Sequence, residues 1–328
     1  MGKRLLAPAG WVFEMKYDIY FHGGCFDGAA SAAILLYFLR LRGDGYGKFI
    51  PLTHPVDKKW WRKLKMKNPS AIVDILYHPK AKIWFDHHPT TFIDKKWEKN
   101  FQPDLKHKLN VKSPSCAGLI YRHFTKTLKI KVPKYLRDLA SWVDITDRAQ
   151  FGSVKEALNL NPPAMQIGFY LDSVAKMPVS RQKNLIRLLS EMPLYSAAKT
   201  TWIRNGFLKY KKRFDESLRK VKNMLILRGN MVFLNSMGKE LVGTRWMPYF
   251  FYPKSNYSIR LVKHGKNFVL SVGSNPWNRS KNPAHIGRFL EKRYGGGGHA
   301  VVGSAPFRTK KEALREVSNI TDYLNKHA

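Results

Sequence analysis

Along its first half the chain alternates short apolar runs with longer stretches of helical composition, joined by polar or glycine-containing turns, the pattern of a parallel sheet covered by helices. Residues 17–22 are apolar and β-prone and predict a strand. It leads through Gly23-Gly24 and Asp27-Gly28 into residues 29–41, whose small and aliphatic side chains predict a buried helix. Residues 71–75 and 81–85 predict two further strands, 115–128 and 134–143 two further helices, and 143–151 closes this half with Asp144 and Asp147. From 180 to 223 the pattern is helical and strongly basic, as at 209–213 and 219–222; it reads as a connector with a solvated face and no catalytic cluster. The remainder predicts a smaller α+β unit, with strands at 225–227, 231–234, 257–262 and 268–272 and helices at 284–293 and 310–325. The expected division is therefore 1–178, a connector at 179–223, and 224–328. No internal repeat or low-complexity tract stands out.

Composition narrows the class. With 328 residues, 44% hydrophobic and 13% aromatic, the chain can build real cores, which excludes a disordered basic tail. Cys25 and Cys116 are too few for a disulfide-stapled secreted scaffold, and a reducing cytoplasm is the expected location. Residues 1–10 lack the uninterrupted apolar core of an export signal, and the longest greasy run, 29–39, falls short of the roughly 20 residues that span a bilayer, so no membrane association is expected. The 58 Lys+Arg against 23 Asp+Glu leave a net charge of +35, which favours a polyanionic partner through counterion release. A generally Lys-rich composition would account for that charge equally well.

The candidate chemistry lies in His22, Asp27, Asp74, Asp86, His87, His88 and Asp147, all but the last at or just beyond the end of a predicted strand. In an open parallel sheet those ends converge on one crevice. A lone His or Asp at a strand end is usually a cap or a satisfied core residue. Asp86-His87-His88 directly after an apolar strand, with Asp74 after another and His-x4-Asp-Gly after the first, is hard to explain by packing. Several carboxylates held together repel one another and take up protons unless a cation joins them. Carboxylate oxygen and imidazole suit a divalent ion such as Mn²⁺, and a metal pair points to phosphoryl chemistry.

These motifs resemble the DHH phosphoesterase family over most of the chain. Residues 22–31 are similar to its first motif, Asp74 to its second, Asp86-His87-His88 to the third and Asp147 to the fourth, and Gly296-Gly297-Gly298-His299 resembles the loop of its associated C-terminal domain. The resemblance implies an α/β fold in which an N-terminal parallel-sheet domain and a smaller α+β domain flank a cleft holding the active site. It implies a hydrolase with two divalent cations, Mn²⁺ foremost: His22 and Asp74 on one, Asp27, Asp74, His87 and Asp147 on the other. His88 would face the scissile phosphate, Asp86 would orient the His pair, and a metal-activated hydroxide would attack. Asp144, one turn before Asp147, is the alternative ligand. One position departs from the family: Cys25 stands where an additional Asp is usual, so the first ion loses a hard ligand or gains a thiolate, unless Cys25 merely packs in the core.

The four glycines 295–298 give a backbone free to turn its N–H groups toward an anion, and with His299 they fit a clamp for a terminal phosphate or nucleotide. Arg279, after the Asn275-Pro276-Trp277 turn, is a second candidate anion contact. The expected function is a metal-dependent phosphodiesterase or exonuclease acting on short single-stranded oligonucleotides or dinucleotides. The alternatives are an exopolyphosphatase or phosphomonoesterase, such as an adenosine bisphosphate phosphatase, and a catalytically degenerate nucleic-acid-binding protein. The oligomeric state stays open, a homodimer among the options.

Overall fold

The computed structural model describes residues 15–53, 55–174, 177–264 and 267–328. The expectation that 1–10 carry no export signal lies outside these described residues. The chain divides into two compact units, one running to Gln150 and resuming at Leu160–Leu208, the other made of Phe151–Asn159 and Lys209–Ala328.

In the first unit the strands β1 (Lys16–His22), β2 (Gly45–Leu52), β3 (Ser70–Val73), β4 (Ile83–Asp86) and β5 (His107–Leu109) form one parallel sheet in the order β2-β1-β3-β4-β5. β3 and β4 are buried at every position, which is why they read as short unbroken apolar runs rather than as an alternation. From β1 the sheet grows first toward β2 on one side and then toward β3 on the other, so the C-terminal ends of β1 and β3 flank the switch point where such sheets bind ligands. The helix α1 (Phe26–Leu41) is apolar almost all round because it is covered on all sides. It packs between β1 and the helices α2 (Cys116–Arg122), α3 (Lys134–Asp147) and α4 (Val179–Glu191).

Several elements depart from the sequence expectation for local reasons. β2 escapes notice because Gly45, Gly47 and Pro51 interrupt its pattern, and a proline is tolerated there because β2 is an edge strand. The helix expected over 115–128 is α-helical only to Arg122 and continues as a π-helical turn, His123–Thr127. α3 runs on to Asp147 instead of stopping at 143, so Asp144 and Asp147 are both helical. The basic stretch after 179 holds α4, a short helix Leu194–Lys199 and α5 (Thr201–Lys222); α4 buries Leu185, Ile186 and Leu189 in the first unit.

The second unit is built on six strands, β6 (Leu225–Arg228), β7 (Met231–Asn235), β8 (Tyr257–His264), β9 (Asn267–Ser274), β10 (Gly297–Gly298) and β11 (Val302–Phe307), in the order β10-β11-β9-β8-β7-β6. Among these, the β7–β8 pair is parallel and the others antiparallel. Helices α6 (Ile286–Tyr294) and α7 (Lys310–Asn325) supply Ile286, Leu290, Val317, Ile320 and Leu324 to a core with Ile259, Leu261, Leu270 and Val272. Among the described residues no helix is long and apolar enough to cross a membrane.

The approach of α1 to the end of β1 fixes the start of the first motif. A Cβ on Gly28 would sit 2.0 Å from the His22 carbonyl oxygen, so the turn closes only over glycine. Gly28→Ala should cost at least the roughly 1–3 kcal/mol typical of overpacking, read as a lower urea midpoint with an unchanged m-value.

Candidate metal centre

The ends of β1, β3 and β4, the first turn of α1 and the last turn of α3 bring six of the seven candidate side chains to one place, with Asp86 beneath them. Asp74, the residue after β3, is 1% exposed, and neither of its carboxylate oxygens has a hydrogen-bond partner. Its φ of 58° is the left-handed conformation, which Asp tolerates better than most residues but which still costs on the order of 1 kcal/mol. The conformation is held by its own amide, which donates to the Phe85 carbonyl at 3.0 Å across the β3–β4 boundary.

His87 faces it. Its Nδ1 lies 3.2 Å from the Ser113 carbonyl, which can only accept, so Nδ1 carries the proton and Nε2 presents a lone pair. Nε2 is buried without a hydrogen bond and stands 3.5 Å from Asp27 Oδ2, 3.7 Å from Asp74 Oδ1 and 3.6 Å from Asp147 Oδ2. Those separations are too long for hydrogen bonds but suit groups ranged around a common cation. Asp27 is anchored: its two oxygens accept from the Cys116 and Ala117 amides at 2.8 Å each, and Oδ1 also from Ser31 Oγ at 3.2 Å.

On the other side of Asp74, His22 Nδ1 lies 3.5 Å from Oδ2, and the ligand atoms of His22, Cys25 and Asp74 all fall within 4.8 Å of one another. Burial first, then the neighbouring Asp74 and Asp27 charges, push the Cys25 thiol well above its ordinary range, so a thiolate there requires a cation. Asp86 serves the pair of histidines. Oδ1 accepts from the His87 amide at 2.7 Å and from His88 Nδ1 at 2.8 Å, and Oδ2 accepts from Thr91 Oγ1. Burial disfavours the charged form of His88, but its hydrogen bond to Asp86 and the nearby carboxylates outweigh that and raise its pKa.

The residues fit the binding of divalent cations. Three carboxylates around one imidazole, with Asp74 Oδ1, Asp74 Oδ2 and His87 Nε2 lacking partners, cannot be stable in ionised form alone. Burial pushes the Asp74 carboxyl well above the usual range, and repulsion from Asp27, Asp86 and Asp147 adds to it. The donor sets differ: His, Cys and Asp on one side, Asp, Asp, His and Asp on the other. Asp144 lies elsewhere. It accepts from Ser115 Oγ at 2.6 Å and forms an ion pair with Arg122, which removes it as the alternative to Asp147.

In the second unit the glycine run caps α6 and then forms the short strand β10, rather than an open amide cradle. The Gly296 amide donates to the Leu290 carbonyl and the His299 amide to the Val302 carbonyl, and a Cβ on Gly296 or Gly298 would meet the β11 backbone at 2.2 and 2.3 Å. Gly296 and Gly298 are there for close backbone approach, and the His299 side chain is exposed. Arg279 is exposed in the loop that follows β9, whereas Asn275 is buried and its side chain braces that loop through the Pro253 and Ser255 carbonyls. Sequence reading passed over Arg260, a cation inside the apolar strand β8. Its guanidinium donates to Thr244 Oγ1 at 3.1 Å and Ser271 Oγ at 3.2 Å. A charge at a mid-strand position is the signal that marks it.

No protein-family model and no curated protein matches the sequence. Solved structures do match. A pGpG-specific phosphodiesterase from Vibrio cholerae superimposes with a TM-score of 0.71 at 22% identity, over 95% of this chain and 100% of that one. A DHH domain described as belonging to a family of ribosomal proteins gives 0.59 at 15% identity, over 94% and 87% of the two chains. The exonuclease RecJ bound to manganese gives 0.55 at 14% identity, over 94% and 90%. The fold is that of the DHH proteins, as the motifs led one to expect.

Removing the Asp74 charge should have opposite effects with and without metal. In EDTA, Asp74→Asn should raise Tm, because the buried charge is gone and Asn suits the left-handed backbone. Wild-type protein should gain about 2.7 kcal/mol at Mn²⁺ one hundredfold above its dissociation constant, and the variant should gain almost nothing, both read by calorimetry.

Proposed function

We propose, from the shared DHH fold and the buried, partnerless donors at its switch point, that the protein is a divalent-cation-dependent phosphodiesterase acting on linear dinucleotides and short single-stranded oligonucleotides. The observation that carries the reading is the meeting of Asp74 Oδ1 and Oδ2 with His87 Nε2, three buried polar atoms without hydrogen-bond partners. Two ions would be held there, one by His22, Cys25 and Asp74 and the other by Asp27, Asp74, His87 and Asp147. Bound there, the ions supply an activated water and neutralise charge on the phosphoryl oxygens.

The chain's own groups do the rest. Asp86 holds the Nδ1 proton of His88, which leaves Nε2 to meet the scissile phosphate or protonate the leaving oxygen, and the upward shift of its pKa favours a proton on Nε2. His87 is oriented by the Ser113 carbonyl, which accepts from its Nδ1 and leaves Nε2 facing the carboxylates. Cys25 gives the first site one soft donor, which shifts its preference toward Zn²⁺, Fe²⁺ or Co²⁺ relative to an all-oxygen set. In the second unit, His299, Arg279 and Arg260 offer cationic and donor groups to a phosphate. Likeness over 95% of this chain and all of the other to a phosphodiesterase named for pGpG supports a dinucleotide as substrate.

Purified protein incubated with pGpG, a short RNA, a short single-stranded DNA, adenosine bisphosphate and polyphosphate, each with Mn²⁺, Mg²⁺, Co²⁺ or Zn²⁺, should release mononucleotide from the dinucleotide with the highest kcat/KM. His88→Asn should lower kcat by roughly 10²–10⁴. His299→Ala should act mainly on KM and leave metal content intact. Faster cleavage of polyphosphate would replace this reading with an exopolyphosphatase, and oligonucleotide binding without product under any metal would make the protein a non-catalytic binder.

A further inference from the structure

We infer that Arg122 and Asp144, joined through Ser113 and Ser115, are positioning residues that fix three of the four ligands of the second metal site at once. The inference rests on the proposed two-ion reading of that site. Arg122 lies on α2 and Asp144 on α3, one turn before Asp147. Arg122 Nη1 donates to Asp144 Oδ2 and Nη2 to Ser113 Oγ at 2.7 Å, so a single guanidinium joins the helix that carries Asp147 to the loop that carries Ser113. Asp144 Oδ1 in turn accepts from Ser115 Oγ at 2.6 Å, and Ser115 Oγ accepts from the Gly118 amide at 2.9 Å as the N-cap of α2.

Each arm of this network ends on a ligand. The Ser113 carbonyl receives the His87 Nδ1 proton at 3.2 Å, which selects the tautomer and aims Nε2 at the carboxylates. The capped first turn of α2 presents the Cys116 and Ala117 amides to the two oxygens of Asp27. α3 holds Asp147, and its pin to α2 is one turn away. Asp74, which both ions share, is set separately by β3.

Gly118 is an independent sign that the pair is built in. A Cβ there would stand 2.1 Å from Asp144 Oδ1 and 2.6 Å from Arg122 Nη2. A glycine in a helix costs about 1 kcal/mol relative to alanine, and here the missing side chain is the space the ion pair occupies. With side-chain exposures of 32% for Arg122 and 18% for Asp144, the pair is too shielded to behave as an ordinary surface bridge.

The test is Mn²⁺ titration of metal-free protein by calorimetry, with the exchange-coupled electron paramagnetic resonance signal of an ion pair as a second readout. Wild type should bind two ions. Arg122→Gln and Asp144→Asn should each weaken one of the two by about 10- to 100-fold while the other keeps its affinity, and the coupled signal should appear only at correspondingly higher Mn²⁺. Catalysis should fall at limiting Mn²⁺ and recover at saturation. Arg122→Lys, which keeps the charge without the fork, should recover part of the affinity. Should Arg122→Gln not fold, the near-isosteric Asp144→Asn carries the same comparison. Wild-type affinity for both ions in a folded variant, or equal weakening of both, overturns the inference and leaves the metal reading standing. A wild-type protein that binds no divalent ion overturns the two-ion reading, and this inference with it.

Discussion

The constraint on which the first unit depends is electrostatic: Asp27, Asp74 and Asp147 converge on one imidazole nitrogen in a place where water does not reach Asp27 or Asp74. At the distances involved, like charges at low local dielectric repel by several kcal/mol, so the arrangement is stable only with a cation or with protons. A fold that keeps such a cluster has a use for the cation. The left-handed backbone of Asp74 has the same origin, a local strain at the residue that must face both histidines.

The rest of the first unit can be understood as support for that cluster. The sheet grows in opposite directions from β1, which leaves a gap above β1 and β3 without a crossing helix, and His22, Asp74 and the Asp86-His87-His88 run all end there. α1 brings Asp27 back over the end of β1, closely enough that Gly28 must be a glycine. Below the histidines, a single oxygen of Asp86 accepts from the His87 and His88 amides and from the His88 imidazole, so one carboxylate sets both the loop and the ring.

Much of this was legible from residue order. The unbroken apolar runs of β3 and β4 and the all-round apolar α1 exposed their burial, because a fully covered strand or helix has no polar face to show. Asp74 and Asp86-His87-His88 stood out because polar groups at the ends of such runs need a reason. What escaped has equally plain causes. β2 is broken up by Gly45, Gly47 and Pro51, which an edge strand tolerates. Asp144 and Asp147 share a helix at a spacing of three, and only the partners Ser115 and Arg122 distinguish one from the other. The glycine run suggested free amides, yet those of Gly296 and His299 are bonded within the second unit.

By itself the sequence determined that strands and helices alternate in the first half and that six of the seven polar side chains lie at or near strand ends, since these are properties of local pattern and spacing; that Cys25 stands where a carboxylate is usual came from the resemblance to the DHH family. Only the tertiary structure decided which of those side chains face one another, which nitrogen of His87 is free, and that Arg122, Ser113 and Ser115 stand behind three of them. Contacts such as the one between Arg122 and Asp144 join residues on different helices, and no periodicity along the chain encodes which side chain will fill a space left by a glycine.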